Sequence, residues 1–270
     1  MTTLLLIVLF CLLGGALSVV AAAVFLLAPE RWRERVLPHL VSFAIGALLG
    51  AALLALLPHA ILSPGVRDVH DIGAAVLLGL LGFFVLEKMI LWRHCHSFEC
   101  EAHVPEHADG HGHVHGGSPQ GRQATGMLIL VGDGLHNFVD GILIAAAFLT
   151  DTHLGIVTAL AVAAHEIPQE VGDFAVLLDS GFSRARAFYY NLLSSLTTVV
   201  GGVLAYFSMA DLRHVTPYVL AVAAASFIYI AVADLIPGLH RRLHPKATLQ
   251  QLGLILAGVT VIYFAHKSLH

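Results

Sequence analysis

The sequence predicts an all-α integral membrane protein, and three observations carry that prediction. Hydrophobic residues make up 57% of the 270, and mean hydropathy is +0.82. Charged residues amount to 12%, against about a quarter in soluble domains. The apolar residues gather into continuous runs, without the two-residue alternation of barrel strands. Inside a bilayer each backbone amide must be paired, so every run is expected as a helix.

Cutting the chain at charge and Pro/Gly clusters leaves eight runs, each near the roughly 20 residues that cross a bilayer as helix. The first, about 4–28, also admits a cleaved signal with Ala21 to Ala23 as processing site, but MTT supplies no basic start and the run is long, which favours a span. The second, 38–62, ends in LLPHA, with His59 at the entrance to a site or simply at the interface. The third, 71–92, closes on Glu87 beside Lys88, read as interfacial or paired. The fourth, 125–149, holds HNFVDG, and the fifth, 153–179, holds HEIPQEVGD. In the sixth, 187–209, Asn191, Ser194 and Ser195 either back the preceding pair or serve as packing residues. The seventh, 216–239, ends in LIPGL with Asp234 just before it, and the eighth is 248–266. LLPHA and LIPGL lie in helices of opposite direction, as an inverted repeat would place them. The expected arrangement is therefore 3+2+3, three helices either side of a central pair.

That gives helices 1–3 over residues 1–92, a loop over 93–124, helices 4–5 over 125–179 and helices 6–8 over 180–270. Of the 14 Lys and Arg residues, 11 fall at one set of helix ends and 3 at the other. By the positive-inside rule the richer side is cytoplasmic, so both termini face outward and the loop faces the cytosol. Short loops and an Arg-rich, Lys-poor composition point to a bacterial plasma (inner) membrane. No nucleic-acid partner is expected, and the surroundings of the chain are the lipid bilayer; its net charge of −4 says little.

Seven of the 18 histidines fall in the loop: His94, His96, His103, His107, His111, His113 and His115. Cys95 and Cys100 stand among them, with Glu99, Glu101 and Glu106. Thiolates and imidazoles suit zinc and its neighbours, but the spacing matches no closed zinc finger, so loose, exchangeable binding is expected. A solvated linker is the plainer alternative. With Cys11 in the first span, the three cysteines form no disulfide framework.

The central pair is where the chain departs from ordinary membrane helices. A carboxylate near the bilayer centre costs about 2.5–3.5 kcal/mol on insertion scales, so isolated examples are rare. Here His136, Asn137 and Asp140 stand at i, i+1 and i+4, and His165, Glu166 and Gln169 repeat those offsets. Residues i and i+4 share a helix face, so two facing stripes would bring about six N and O donors together. Imidazole, carboxylate and amide form a ligand set for Zn2+, with Fe2+, Mn2+ or Cd2+ possible on donor type. Absence of a thiolate suits a site that must also release its ion. Pro168 is expected to deprive the Ala164 carbonyl of its partner and kink the helix there. Interhelical hydrogen-bond glue is the alternative, and it needs fewer polar groups than are present. Asp133, Glu170 and Asp173, a turn away, either form a backing or exit site or pair with polar neighbours.

With HNFVDG and HEIPQE the sequence resembles the ZIP family of divalent-metal transporters, which carry an HNFxDG-type and an HExPxE-type motif on helices 4 and 5. The resemblance covers essentially the whole chain. It implies a binuclear centre, with His136, Asp140, His165 and Gln169 around one ion and Asn137, Asp140, Glu166 and Gln169 around the other. It also implies uptake toward the cytosol, homodimers, and movement of the block carrying the centre against a scaffold. The substrate is the metal ion, and no catalytic cofactor is expected. Two departures stand out: Gln169 occupies a position that is His in many relatives, and Ala51 and Ala55 stand where such relatives have polar residues. Two rival functions remain at the level of sequence. One is a metal sensor without flux. The other is an intramembrane zinc protease, since HEIPQ nearly matches H-E-x-x-H; Gln169 takes the second His position.

Overall fold

The computed structural model describes residues 2–64, 66–95, 119–209, 214–240 and 245–268, and among these every regular element is helical. Helices α1 (Thr2–Gly14) and α2 (Ala16–Leu26) form one broken span. Helix α3 (Glu30–Gly50) passes through a π-helical stretch, Ala51–Leu56, into α4 (Leu57–Leu62). Next come α5 (Val69–Cys95), α6 (Pro119–Thr150) and α7 (Thr152–Asp179). Helices α8 (Arg184–Ser195) and α9 (Thr197–Met209) make a second broken span, and α10 (Thr216–Tyr229) runs through a second π-helical stretch, Ile230–Leu235, into α11 (Ile236–Leu239). Helix α12 (Pro245–Ser268) completes the bundle.

Seven of these units are long and apolar enough to cross a membrane: Thr2–Leu26, Glu30–Leu62, Val69–Met89, Gly126–Thr150, Arg184–Met209, Thr216–Leu239 and Pro245–Lys267. Their outward faces are apolar, with Leu5, Leu78, Phe207 and Leu249 each more than 60% exposed. Helix α7 is not among the seven, although its 28 residues rise about 42 Å. Its polar stripe depresses its hydropathy, and that stripe is internal: His165, Glu166 and Glu170 are all buried.

The π-helical stretches have a common cause. Pro58 and Pro237 follow them by two residues, and a proline ring removes an N–H and clashes with the carbonyl four residues back, which widens the preceding turn. Helix α7, by contrast, continues through Pro168 with no change of helix type. The π-helical turns thus mark the prolines of two other spans, Pro58 and Pro237. The loop is also shorter than the expected 93–124, because α5 runs on to Cys95 and α6 begins at Pro119.

Two helix crossings depend on glycine. A Cβ on Gly141 of α6 would sit 1.9 Å from the Thr198 carbonyl oxygen of α9, and one on Gly201 would sit 2.0 Å from the Phe138 carbonyl oxygen. Likewise Gly46 of α3 abuts the Ile255 carbonyl, and Gly258 of α12 abuts the Phe43 carbonyl. Only glycine lets these backbones touch, as in small-residue membrane interfaces.

Candidate metal centre

A single residue, Asp151, separates α6 from α7. Its carboxylate accepts from the backbone N–H of His153 (2.8 Å) and Leu154 (3.0 Å), capping α7 and fixing where its first turn starts. So short a connection makes antiparallel neighbours, and positions equidistant from it lie level. His136 is 15 residues before Asp151 and Glu166 is 15 after, roughly 22 Å along each helix.

At that level four side chains converge: His136 and Asp140 from α6, His165 and Glu166 from α7, with one donor atom from each within 4.8 Å of all the others. The two Nε2 atoms are 3.3 Å apart. His136 Nε2 lies 3.4 Å from Glu166 Oε1 and 3.7 Å from Asp140 Oδ2. His165 Nε2 lies 3.4 Å from Asp140 Oδ2 and 3.5 Å from Glu166 Oε1. Donors about 2.0–2.1 Å from a tetrahedral ion stand about 3.3–3.4 Å from one another. Five edges of the cluster are thus already near the size of a zinc tetrahedron. His165, Asp140 and Glu166 are at most 1% exposed, and His136 is half-buried.

The surroundings orient these donors. His165 donates Nδ1–H to the Ala161 carbonyl (3.1 Å), which leaves the Nε2 lone pair facing the cluster. The edge of its ring meets Phe227 of α10, with centroids 6.3 Å apart. The carboxylate oxygens of Asp140 and Glu166 have no hydrogen-bond partner among the described residues, a costly condition for buried charge unless a cation shares the site.

The two amides, Asn137 and Gln169, have surroundings of their own. Asn137 is buried and turned toward α9: its Oδ1 accepts from Thr198 Oγ1 (2.8 Å), and its Nδ2 donates to Asp133 Oδ1 (2.9 Å) and to the Asp133 carbonyl (3.2 Å). Gln169 is half-buried on the wall of a cavity of about 310 Å³ that reaches His136. Asp133, Asp173, Glu87 and Asp234 line the same cavity, so four carboxylates share it. Glu170 is fully buried, outside that lining, and neither of its carboxylate oxygens has a hydrogen-bond partner among the described residues.

Among the neighbouring side chains, Glu87, Lys88 and Ser194 were singled out in the sequence, whereas Thr197, Thr198 and Tyr229 escaped it. Glu87 takes its hydrogen bond from Tyr229 Oη of α10, while Lys88 sits 6.0 Å from the Phe84 ring centroid. Ser194 Oγ donates to the Leu130 carbonyl (3.1 Å) and Thr197 Oγ1 to the Gly134 carbonyl (2.7 Å), so α8 and α9 brace α6 behind the centre. Thr198 and Tyr229 had no signal stronger than a hydroxyl in an apolar run. Of the loop candidates, His96, Cys100, His103, His107, His111, His113 and His115 lie outside the described residues, as do the side chains of His94 and Cys95.

Comparison with known proteins agrees with this geometry. The family model described as ZIP Zinc transporter matches residues 1–266. The chain is 34% identical over 238 residues to Zinc transporter ZIP13 of Pongo abelii, covering 84% of this chain and 66% of that protein. It is 34% identical over 288 residues to Zinc transporter ZIP5 of Homo sapiens, covering 86% of this chain and 53% of that one. With Zinc transporter YKE4 of Saccharomyces cerevisiae it shares 31% over 231 residues, covering 78% and 64%. The chain thus spans about half to two thirds of the length of these relatives.

Proposed function

The chain belongs to the ZIP zinc transporter family, and from that premise we propose that it carries a divalent metal ion, zinc foremost, across the membrane into the cytoplasm by way of the centre on α6 and α7. The family is one of transporters, not enzymes. The observation that carries the reading is the four-donor cluster, two imidazoles and two carboxylates at tetrahedral spacing, buried and charged. Fe2+, Mn2+ and Cd2+ are compatible with the same donors.

His136, Asp140, His165 and Glu166 are assigned as the first ligands. Gln169 adds its amide oxygen from the cavity wall. For a second ion, Asn137 Oδ1 keeps one lone pair beyond the Thr198 hydrogen bond, and Asp140, Glu166 and Gln169 would complete that set. The cavity with Asp133 and Asp173 on its wall is assigned as the exit, its acids drawing the cation from the centre, and Glu170 as a backing carboxylate. The segment 93–124, whose ends continue α5 and α6, is assigned as a loose metal-binding segment.

Eight spans in a 3+2+3 inverted repeat are proposed, with α7 as the fifth. Three likenesses support the repeat. The first and sixth spans are both broken, and the breaks meet: a Cβ on Gly15 would lie 2.6 Å from the Ser195 carbonyl oxygen. The second and seventh spans each carry a π-helical stretch before a proline. Helix α3 packs chiefly on α12, and α10 on α5, the contacts an exchange of the two triplets would produce. Outward termini follow from the Lys and Arg distribution, and homodimers from family resemblance. A bacterial plasma membrane rests on composition alone, since the relatives named above are eukaryotic.

Uptake by proteoliposomes across a panel of divalent ions tests the proposal. Saturable Zn2+ entry is expected. Zinc binding at the centre without entry would identify a sensor instead.

A further inference from the structure

A second cavity, of about 270 Å³, lies where α2 ends and α3 and α8 begin. Its wall belongs to a small apolar cluster in which Phe174 of α7 and Phe188 of α8 stand 6.4 Å apart between ring centroids, and Leu26 and Leu178 extend it. Phe174 is eight residues beyond Glu166, roughly 12 Å further along α7, so the cavity is distinct from the metal centre. Two arginines complete the lining, Arg33 of α3 and Arg184 of α8, and among the described residues no carboxylate joins them on the wall.

The two cations come from parts of the chain 151 residues apart, and each stands in the first turn of its helix. A helix start carries partial positive charge of its own, so guanidiniums and backbone act with the same sign here. Arg33 is half-buried, and its Nε is enclosed without a hydrogen-bond partner among the described residues. Glu30 and Glu34 of the same helix are exposed and stand off the wall. The surroundings also fix the depth. Trp32, 49% exposed, packs on Phe25 with centroids 5.5 Å apart, and Tyr189, 60% exposed, follows Phe188 directly. Amphipathic rings of this kind sit at the headgroup level of a bilayer. Leu27, on the rim, is exposed and carries the apolar wall outward to the lipid-facing surface.

We propose that this cavity binds the headgroup of an anionic phospholipid. Arg33 and Arg184 clamp the phosphate oxygens, a task for which the planar guanidinium fork is suited, and Phe174, Leu178 and Phe188 receive the start of an acyl chain. The volume is near the lower limit of small-molecule pockets, about 300 Å³, so the cavity takes a headgroup and lets the chains leave past Leu27. The apolar wall beside the two cations favours a lipid over a free phosphate ion. Nothing in the proposal depends on the transport reading.

Native mass spectrometry of the full-length protein in detergent, titrated with phosphatidylglycerol or phosphatidylcholine, tests it. One phosphatidylglycerol per chain should be retained in preference to phosphatidylcholine. Arg33→Gln and Arg184→Gln should each weaken that retention about 5-fold or more, the equivalent of about 1 kcal/mol per basic residue. Arg31→Gln and Arg35→Gln, exposed on the same helix but off the wall, should leave it unchanged. Equal losses from all four variants would reduce the effect to diffuse surface charge and overturn the proposal. Displacement of the lipid by millimolar inorganic phosphate would make the cavity a phosphate-ion site instead, and equal retention of the two lipids would remove the role of the arginines. Melting temperatures of the four variants close to wild type are expected, since all four side chains are at least partly exposed. Should Arg33→Gln unfold the protein, Arg33→Lys keeps the charge without the fork, and retention undiminished in both Arg33→Lys and Arg184→Gln would refute the clamp.

Discussion

His136 Nε2 and His165 Nε2 stand 3.3 Å apart although 29 residues separate them in the chain, each on its own side of the turn at Asp151. Two ring nitrogens that close repel if both are protonated and gain nothing if both are neutral. Sharing a cation with Asp140 and Glu166 resolves the conflict. Removing either carboxylate by Asp140→Ala or Glu166→Ala should lower Zn2+ uptake in proteoliposomes by about 100-fold or more, with the protein still folded and inserted. Uptake within a few-fold of wild type from either variant would refute the ligand assignment.

Gln169 presents an amide where an imidazole would bind zinc more strongly. By donor softness, Gln169→His should raise affinity for Zn2+ relative to Mn2+ and slow turnover, since tighter binding opposes release. Dissociation constants for both ions in the two proteins decide it. An unchanged ratio would mean that the side chain stays on the cavity wall.

Thr198 holds Asn137 from the neighbouring helix. Thr198→Val keeps the shape but removes the donor, at a cost of about 1 kcal/mol in stability. It should also loosen Asn137 and with it Asp133, so zinc affinity should fall a few-fold. Thermal melting and zinc titration of the same preparations check both effects. Loss of stability with unaltered affinity would make the hydrogen bond structural only.

Gly141 is the point where α6 and α9 touch. A methyl group there meets the Thr198 carbonyl at 1.9 Å, so Gly141→Ala should cost at least about 1–3 kcal/mol by forcing the helices apart. Gly82 of α5 has nothing within 4 Å of such a methyl group, and Gly82→Ala should be neutral or stabilise by up to about 1 kcal/mol. Comparable melting temperatures for the two variants would contradict the close crossing.

The spans and the polar stripes were legible because both depend on periodicity, which a chain displays directly. His136, Asp140, His165 and Glu166 share faces by their i and i+4 offsets, and the one-residue turn at Asp151 brings those faces level. Hydropathy does not mark α7 as apolar enough to cross a membrane, and polar residues that lower it, His165, Glu166 and Glu170, are buried. The partners of Asn137 were less legible: the face argument places it beside the stripe but does not show that Thr198 of the neighbouring helix donates to it. The π-helical turns before Pro58 and Pro237 were not legible in the sequence, whereas helix α7 keeps its α type through Pro168. Proline content alone does not reveal which helix will carry a π turn.

The two wide turns have an angular consequence. A π turn accommodates one residue more than an α turn, and one residue corresponds to about 100° of rotation about the axis. Everything beyond Ala51–Leu56, His59 included, is therefore out of phase with α3 by that angle. Beyond Ile230–Leu235 the same offset applies to α11. Each span thus behaves as two short helices on one axis with independent compass bearings, so the half that packs on a neighbour need not dictate which side chains the other half presents.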